Sequence, residues 1–142
     1  MKYLILISTF LILVRCSKKE DAPKTKDLAI TVWYETYIGN TKIAIPDDGA
    51  KCYLFNDFNI HNNDFSINQS GTISLSNGST LQPNETMNYD GGVRYFSNLK
   101  VGNTYTVVAV SKYYPNKRNA VTTIIRHNDP ILPTNEIKFV FD

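Results

Sequence analysis

The sequence has little of what usually carries chemistry: two cysteines, two histidines and one tryptophan in 142 residues. His61 and His127 stand far apart, each in an Asn/Asp-rich stretch, and neither sits with a second nitrogen or sulfur ligand at metal-binding spacing. Asp57 to Asp64 is laid out like a calcium loop, but His61 takes its fifth position, Asn62 replaces the required glycine, and Asn68 stands where the bidentate Glu belongs. No Gly-rich phosphate loop and no G-x-S-x-G elbow occurs, and no Cys/His pair marks a nucleophile. Asp47 and Asp48 are adjacent carboxylates, but Pro46-Asp47-Asp48-Gly49 reads as a turn, in which neighbouring side chains point apart. Neither a metal nor a cofactor is expected, and the expected activity is non-enzymatic.

An excess of one charge is also missing. The first 16 residues contain Lys2 and Arg15 and no acid, so 15 basic residues fall to 13 beyond them, against 13 acids. That balance excludes a nucleic-acid partner held by bulk charge. With 42% apolar and 12% aromatic residues the chain is too hydrophobic for disorder and too short of long apolar runs for a multi-span membrane protein. One domain with a tail is the expected organisation.

What is present begins with an address. Met1-Lys2 is followed by Tyr3 to Val14, an uninterrupted uncharged run. As a helix it would reach about 18 Å, well short of the ~30 Å hydrocarbon core, so it suits a signal peptide better than a permanent span. Residues 1–15 are assigned to that signal peptide. Leu13-Val14-Arg15-Cys16 resembles the bacterial lipobox, with Arg15 where the pattern has a small residue. The resemblance implies that Cys16 takes a diacylglycerol and becomes the new N-terminus, a membrane anchor that attaches the chain through lipid. Ser17-Lys18-Lys19-Glu20-Asp21 is similar to the segment after the lipidated cysteine in Bacteroidota-type lipoproteins, which implies an outer-membrane lipoprotein. Two lysines precede the acids, leaving the periplasmic and cell-surface faces both open. Residues 16–27 read as the lipidated Cys and a flexible tether, Ser17 to Asp27 having an r.m.s. reach of roughly 17 to 20 Å.

From Leu28 to Asp142 apolar residues alternate with polar ones, and no window carries a helical stripe. Leu28/Ile30/Val32/Tyr34, Ala50/Cys52/Leu54, Ile73/Leu75, Tyr105/Val107/Ala109, Val121/Thr123/Ile125 and Ile137/Phe139/Phe141 each mark one face of a strand. Pro46-Asp47-Asp48-Gly49, Asn77-Gly78, Asp90-Gly91-Gly92 and Val101-Gly102-Asn103 supply turns, and Ser76-Asn77-Gly78-Ser79 is the strongest hairpin signal. The expected fold is all-β, a single Ig-like, two-sheet sandwich of about seven strands over residues 28–142. The run from Pro46 to Phe55 (PDDGAKCYLF) and the run from Gly91 to Val107 (GGVRYFSNLKVGNTYTV) resemble motifs of transthyretin-like and collagen-binding-B-like sandwich modules. The resemblance implies that Phe96 and Leu99 end an inward-facing strand, that Gly102 turns the chain, and that Tyr105 and Val107 return inward. Some modules of the second type form a Lys–Asn isopeptide bond assisted by a Glu after a Tyr-Thr pair. Here Ala109 stands in that place, so no bond is expected between Lys26 and Asn135, and Lys26 is assigned to the tether.

One stretch suggests recognition. Lys112-Tyr113-Tyr114-Pro115-Asn116-Lys117-Arg118 puts two rings and three cations in a loop after a core strand, where binding residues concentrate. Rings stack on sugars and cations meet anionic groups, so Trp33, Tyr113, Tyr114, Lys117 and Arg118 are the candidate ligand-binding residues, with Tyr34 and Tyr37 near Trp33. The expected function is that of a lipid-anchored cell-envelope accessory protein acting as a protein-interaction or scaffold module. Its partner is then another envelope protein, and the alternative is a glycan bound by exposed aromatics.

Overall fold

The computed structural model describes residues 24–60, 65–127 and 135–142. The expected signal peptide, Cys16, most of the expected tether and His61 lie outside the described residues.

Every described element is a strand. β1 (Thr25–Ile38) is the spine of the first sheet. It pairs in parallel with β11 (Asn135–Phe141) through Leu28↔Asn135 to Tyr34↔Phe141. On its other edge it pairs antiparallel with β8 (Arg94–Lys100) at its start and with β2 (Thr41–Pro46) at its end. The second sheet has the order β10 (Arg118–Ile124), β9 (Thr104–Val110), β3 (Lys51–Asn56), β7 (Glu85–Asn88). The main core lies between the two. It joins Leu28, Ile30, Val32, Phe96, Leu99, Ile137, Phe139 and Phe141 of the first sheet to Cys52, Leu54, Tyr105, Val107 and Ala109 of the second. The inward sets are those the alternation marks, because every second residue of a strand faces the opposite sheet; the intervening residues of β1 (Ala29, Thr31) and β9 (Thr106, Val108) are buried as well, on the other faces.

Phe96 and Leu99 are three residues apart yet share that core, which a regular strand does not permit. A bulge reconciles them. The β1–β8 register shifts between Lys26 and Leu28, Asn98 takes φ +60°, and its N–H donates to Asp27 Oδ1 at 3.1 Å.

Three differences from the expected architecture emerge. The described strands number eleven rather than about seven, eight of them in the two main sheets. The other three, β4 (Phe65–Ile67), β5 (Ile73–Leu75) and β6 (Thr80–Leu81), form a small third sheet. The Asn77-Gly78 hairpin joins β5 to β6, with Gly78 at φ +84°. This sheet covers the back of the second sheet, where Tyr53, Phe55 and Val108 pack with Ile60, Phe65 and Ile73. β3 is therefore buried on both faces, so Cys52-Tyr53-Leu54-Phe55 is continuously apolar, a pattern that alternation alone assigns to one buried and one wet side. Lastly, the first strand begins at Thr25, so Lys26 is a strand residue opposite Leu99 and not tether.

Cys52 is fully buried, and burial together with the field of Asp47 lifts its thiol from an ordinary 9.0 to about 12. The native thiol thus keeps its proton at pH values where the unfolded chain has already lost it. Stability is unaffected below pH 9 and falls above it, by about 1.4 kcal/mol per pH unit up to the native value. Urea unfolding at pH 8 and pH 10 checks this. The wild-type protein should lose more stability between the two than Cys52→Ala, and equal losses would contradict the assignment.

Candidate functional site

The recognition loop is built on a buried carboxylate. In the turn between β2 and β3, the Asp47 N–H donates to Val32 O at 2.9 Å and the Ala50 N–H donates to Asp47 O at 2.9 Å. Gly49, at φ +92°, donates to Tyr89 O at 2.6 Å. This turn drives the Asp47 side chain inward, leaving it 1% exposed, while Asp48 stays at the surface. Asp47 Oδ1 accepts the N–H groups of Lys112 and Tyr113, both at 3.2 Å, and Oδ2 accepts the Ser111 hydroxyl proton. Ser111 Oγ in turn accepts the Tyr114 N–H at 2.9 Å. The Lys117 N–H donates to Tyr114 O at 2.8 Å and the Ser111 N–H to Lys117 O at 3.2 Å, closing the loop on itself. A buried charge demands such saturation, and here it serves to fix the backbone of a loop.

The aromatic residues of that loop turn toward the first sheet. Tyr113 stacks on Tyr34 with centroids 4.0 Å apart and planes 8° apart, and Tyr114 stands perpendicular to both. Tyr114 packs against the main core and its hydroxyl donates to Glu35 O at 2.9 Å. Lys117 Nζ lies 4.9 Å from the Tyr114 ring centre. Burial first, and then the fields of Tyr113 and Asp47, hold the Tyr34 phenol above its ordinary range. The rings therefore occupy one another: Tyr34 and Tyr114 close the end of the sandwich, and Tyr113, 53% exposed, is the one ring of the three that offers substantial area to solvent.

The remaining sequence candidates lie elsewhere. Trp33 alternates with Tyr34 and so occupies the outer face of the first sheet, where Lys138 Nζ is 5.4 Å from its ring. Arg118 is on the far side of the loop from the tyrosines. Its Nη2 donates to Phe65 O at 2.6 Å and its guanidinium lies over the Phe65 ring at 5.1 Å, tying β10 to β4. The candidate residues Trp33, Tyr113, Tyr114, Lys117 and Arg118 thus lie in three places: Trp33 apart from the loop, and Arg118 apart from the loop's tyrosines and Lys117. Strand alternation separates Trp33 from Tyr34, and the turn of the loop separates its tyrosines from Arg118.

The loop's other side forms one wall of a groove of about 750 Å³, within the range of small-ligand sites. Lys112, Pro115, Asn116 and Arg118 line it from the loop, and Lys51, Tyr53 and Val110 line it from β3 and β9. The opposite wall is the β4–β5 turn, with Ile67, Asn68 and Gln69. Asn68 Oδ1 accepts the N–H of Ser70 at 3.0 Å and of Thr72 at 2.9 Å, and the Ser70 hydroxyl at 2.7 Å. Tyr53 donates its hydroxyl to Gln69 O at 3.3 Å. Gly71, at φ +86°, lets this turn lie on the Tyr53 ring: a Cβ there would come within 2.2 Å of Cδ1. Both walls are held by their own hydrogen bonds, so little ordering is left for a ligand to impose.

Of the five candidate residues Arg118 lines the groove; Lys51, Asn68, Gln69, Lys112 and Asn116 line it and are not among those candidates. The turn propensity of Asn68 to Thr72 was the available signal for the second wall. No family model, curated protein or solved structure matches this chain.

Proposed function

We propose that this chain is a non-enzymatic binding module of the bacterial cell envelope, anchored to the outer membrane through lipid on Cys16, which takes a saccharide in the groove between the Ser111–Arg118 loop and the β4–β5 turn. The observation that carries this reading is the groove itself: concave, walled on two sides by pinned backbone, and lined by the amide-bearing Asn68, Gln69 and Asn116 with Lys51, Lys112 and Arg118. Amides and cations suit a ligand rich in hydroxyl and oxyanion acceptors, and Pro115 and the Tyr53 ring give apolar surface for a sugar face. The aromatic recognition expected of Tyr113 and Tyr114 takes second place, since these rings pack against one another.

A second reading, docking onto another envelope protein, draws on a different feature. Tyr37 and Ile38, each 67% exposed, project at the end of the β1–β2 hairpin, and β2 pairs only with β1 among the described residues.

One set of samples tests both. Metabolic labelling with a fatty-acid analogue should mark the wild-type chain and not Cys16→Ser; equal labelling would remove the anchor. On a glycan array the wild-type chain and Tyr37→Ala/Ile38→Ala should give the same saccharide signals. An empty array would overturn the saccharide reading, and capture of an envelope protein by the wild type alone would move the function to the hairpin.

A further inference from the structure

The groove's charge narrows the ligand class, and this inference rests on the saccharide reading above. Three of its lining residues, Lys51, Lys112 and Arg118, are cationic, and among the described residues none of the lining is acidic. The Asp47 carboxylate, behind the lining residue Ser111, has its oxygens engaged by three donors of the loop. Among the described residues the ion pairs are Lys42–Glu35 and Arg94–Asp90, so neither groove lysine has a carboxylate partner there. Among the described residues Lys51 Nζ reaches Gln69 O, at 3.5 Å. Cations gathered in one concavity without counter-charge repel one another, and an anion entering the groove relieves that repulsion while making charge-assisted hydrogen bonds. Arg118 is already oriented by the Phe65 carbonyl and ring, so it loses little freedom on binding.

We infer that the groove recognises an acidic oligosaccharide, one whose carboxylate or sulfate groups are met by Lys51, Lys112 and Arg118 while Asn116 and the β4–β5 turn face its hydroxyls. A lone inorganic anion would leave most of a 750 Å³ groove unfilled. A nucleic acid is disfavoured because the chain beyond residue 16 has no net positive charge.

The test is calorimetric titration of the full chain, in an uncharged polyoxyethylene detergent, with four probes: an oligogalacturonate for carboxylate, a heparin-derived hexasaccharide for sulfate, neutral maltohexaose, and inorganic sulfate. At least one acidic oligosaccharide should bind, and its affinity should fall as salt rises from 50 to 300 mM, since exposed charge pairs are screened over about a Debye length. Lys112→Ala and Lys51→Ala should each weaken binding about tenfold. Lys100→Ala, remote from the groove, should leave it unchanged, and none of the three exposed substitutions should shift the unfolding midpoint. Equal affinity for maltohexaose would overturn the charge inference and leave the saccharide reading standing. No binding of any oligosaccharide would overturn both. Sulfate binding as tightly as the acidic oligosaccharides would reduce the groove to a simple anion site and overturn the inference as stated.

Discussion

Phe139→Ala is expected to lower the unfolding free energy by about 3 to 5 kcal/mol, and Val140→Ala, one residue further along β11, by less than about 1 kcal/mol. The two side chains leave the same strand in opposite directions. Phe139 is fully buried and sits among Val32, Leu54 and Val107 in the core cluster, whereas Val140 is exposed on the outer face of the first sheet. Removing the ring loses its transfer free energy and leaves a cavity that two hydrogen-bonded sheets cannot collapse to fill. Truncating Val140 removes little more than strand preference. Equilibrium unfolding in urea, with the slope unchanged, reads the difference directly. Similar losses for both variants would mean that β11 does not present alternate residues to a core.

Asp47→Ala carries the second largest expected effect, a loss of about 2 to 4 kcal/mol, against less than about 0.5 kcal/mol for Asp48→Ala. The cost lies less in the lost carboxylate than in the groups it leaves behind. The buried Ser111 hydroxyl and the part-buried Lys112 and Tyr113 N–H groups would be left without their acceptor. Asp47→Asn retains one acceptor oxygen, which can serve the two amides but not also the hydroxyl, so it should fall between. Because these bonds shape the loop, Asp47→Ala should also weaken saccharide binding in conditions where the protein remains folded. Full stability in Asp47→Ala would show that the loop is held by its own internal hydrogen bonds and by Tyr114 alone.

The two sheets of the main core were legible because their inward positions follow the period of the pleat, as in Leu28, Ile30 and Val32, which join the main core while Ala29, Thr31 and Trp33 do not. The bulge in β8 opposite Asp27 was less visible: the three-residue spacing of Phe96 and Leu99 fits a strand only if one residue is extruded, and the one local mark is Asn98, a residue type that tolerates its φ of +60°. Of the third sheet, the Ile73/Leu75 strand and the Asn77-Gly78 hairpin were legible, but not that they form a separate layer, because strands of two or three residues do not show which surface they cover. Its consequence, the unbroken apolar run at β3, was visible but reads equally as an ordinary half-wet strand with aromatic residues outside.

At the site the loop from Ser111 to Arg118 could be found from its composition, but not which way its side chains divide. That division depends on Asp47, which meets the loop 64 to 66 residues away in sequence. A Pro-Asp-Asp-Gly turn announces its backbone shape and says nothing of what its carboxylate accepts. The groove is harder still, since its walls come from two loops and its floor from two strands. Lys51 looks like any outward strand residue until the β4–β5 turn is folded beside it.

The most direct test of the groove as the ligand site is a nitrogen–proton correlation spectrum of the full chain in polyoxyethylene micelles, titrated with an oligogalacturonate. The largest amide shifts should fall on Lys51, Gln69, Lys112 and Asn116, with those of Trp33, Tyr37 and Ile38 unmoved. Shifts concentrated on the β1–β2 hairpin or on the outer face around Trp33, or an unchanged spectrum at saturating probe, would contradict the account.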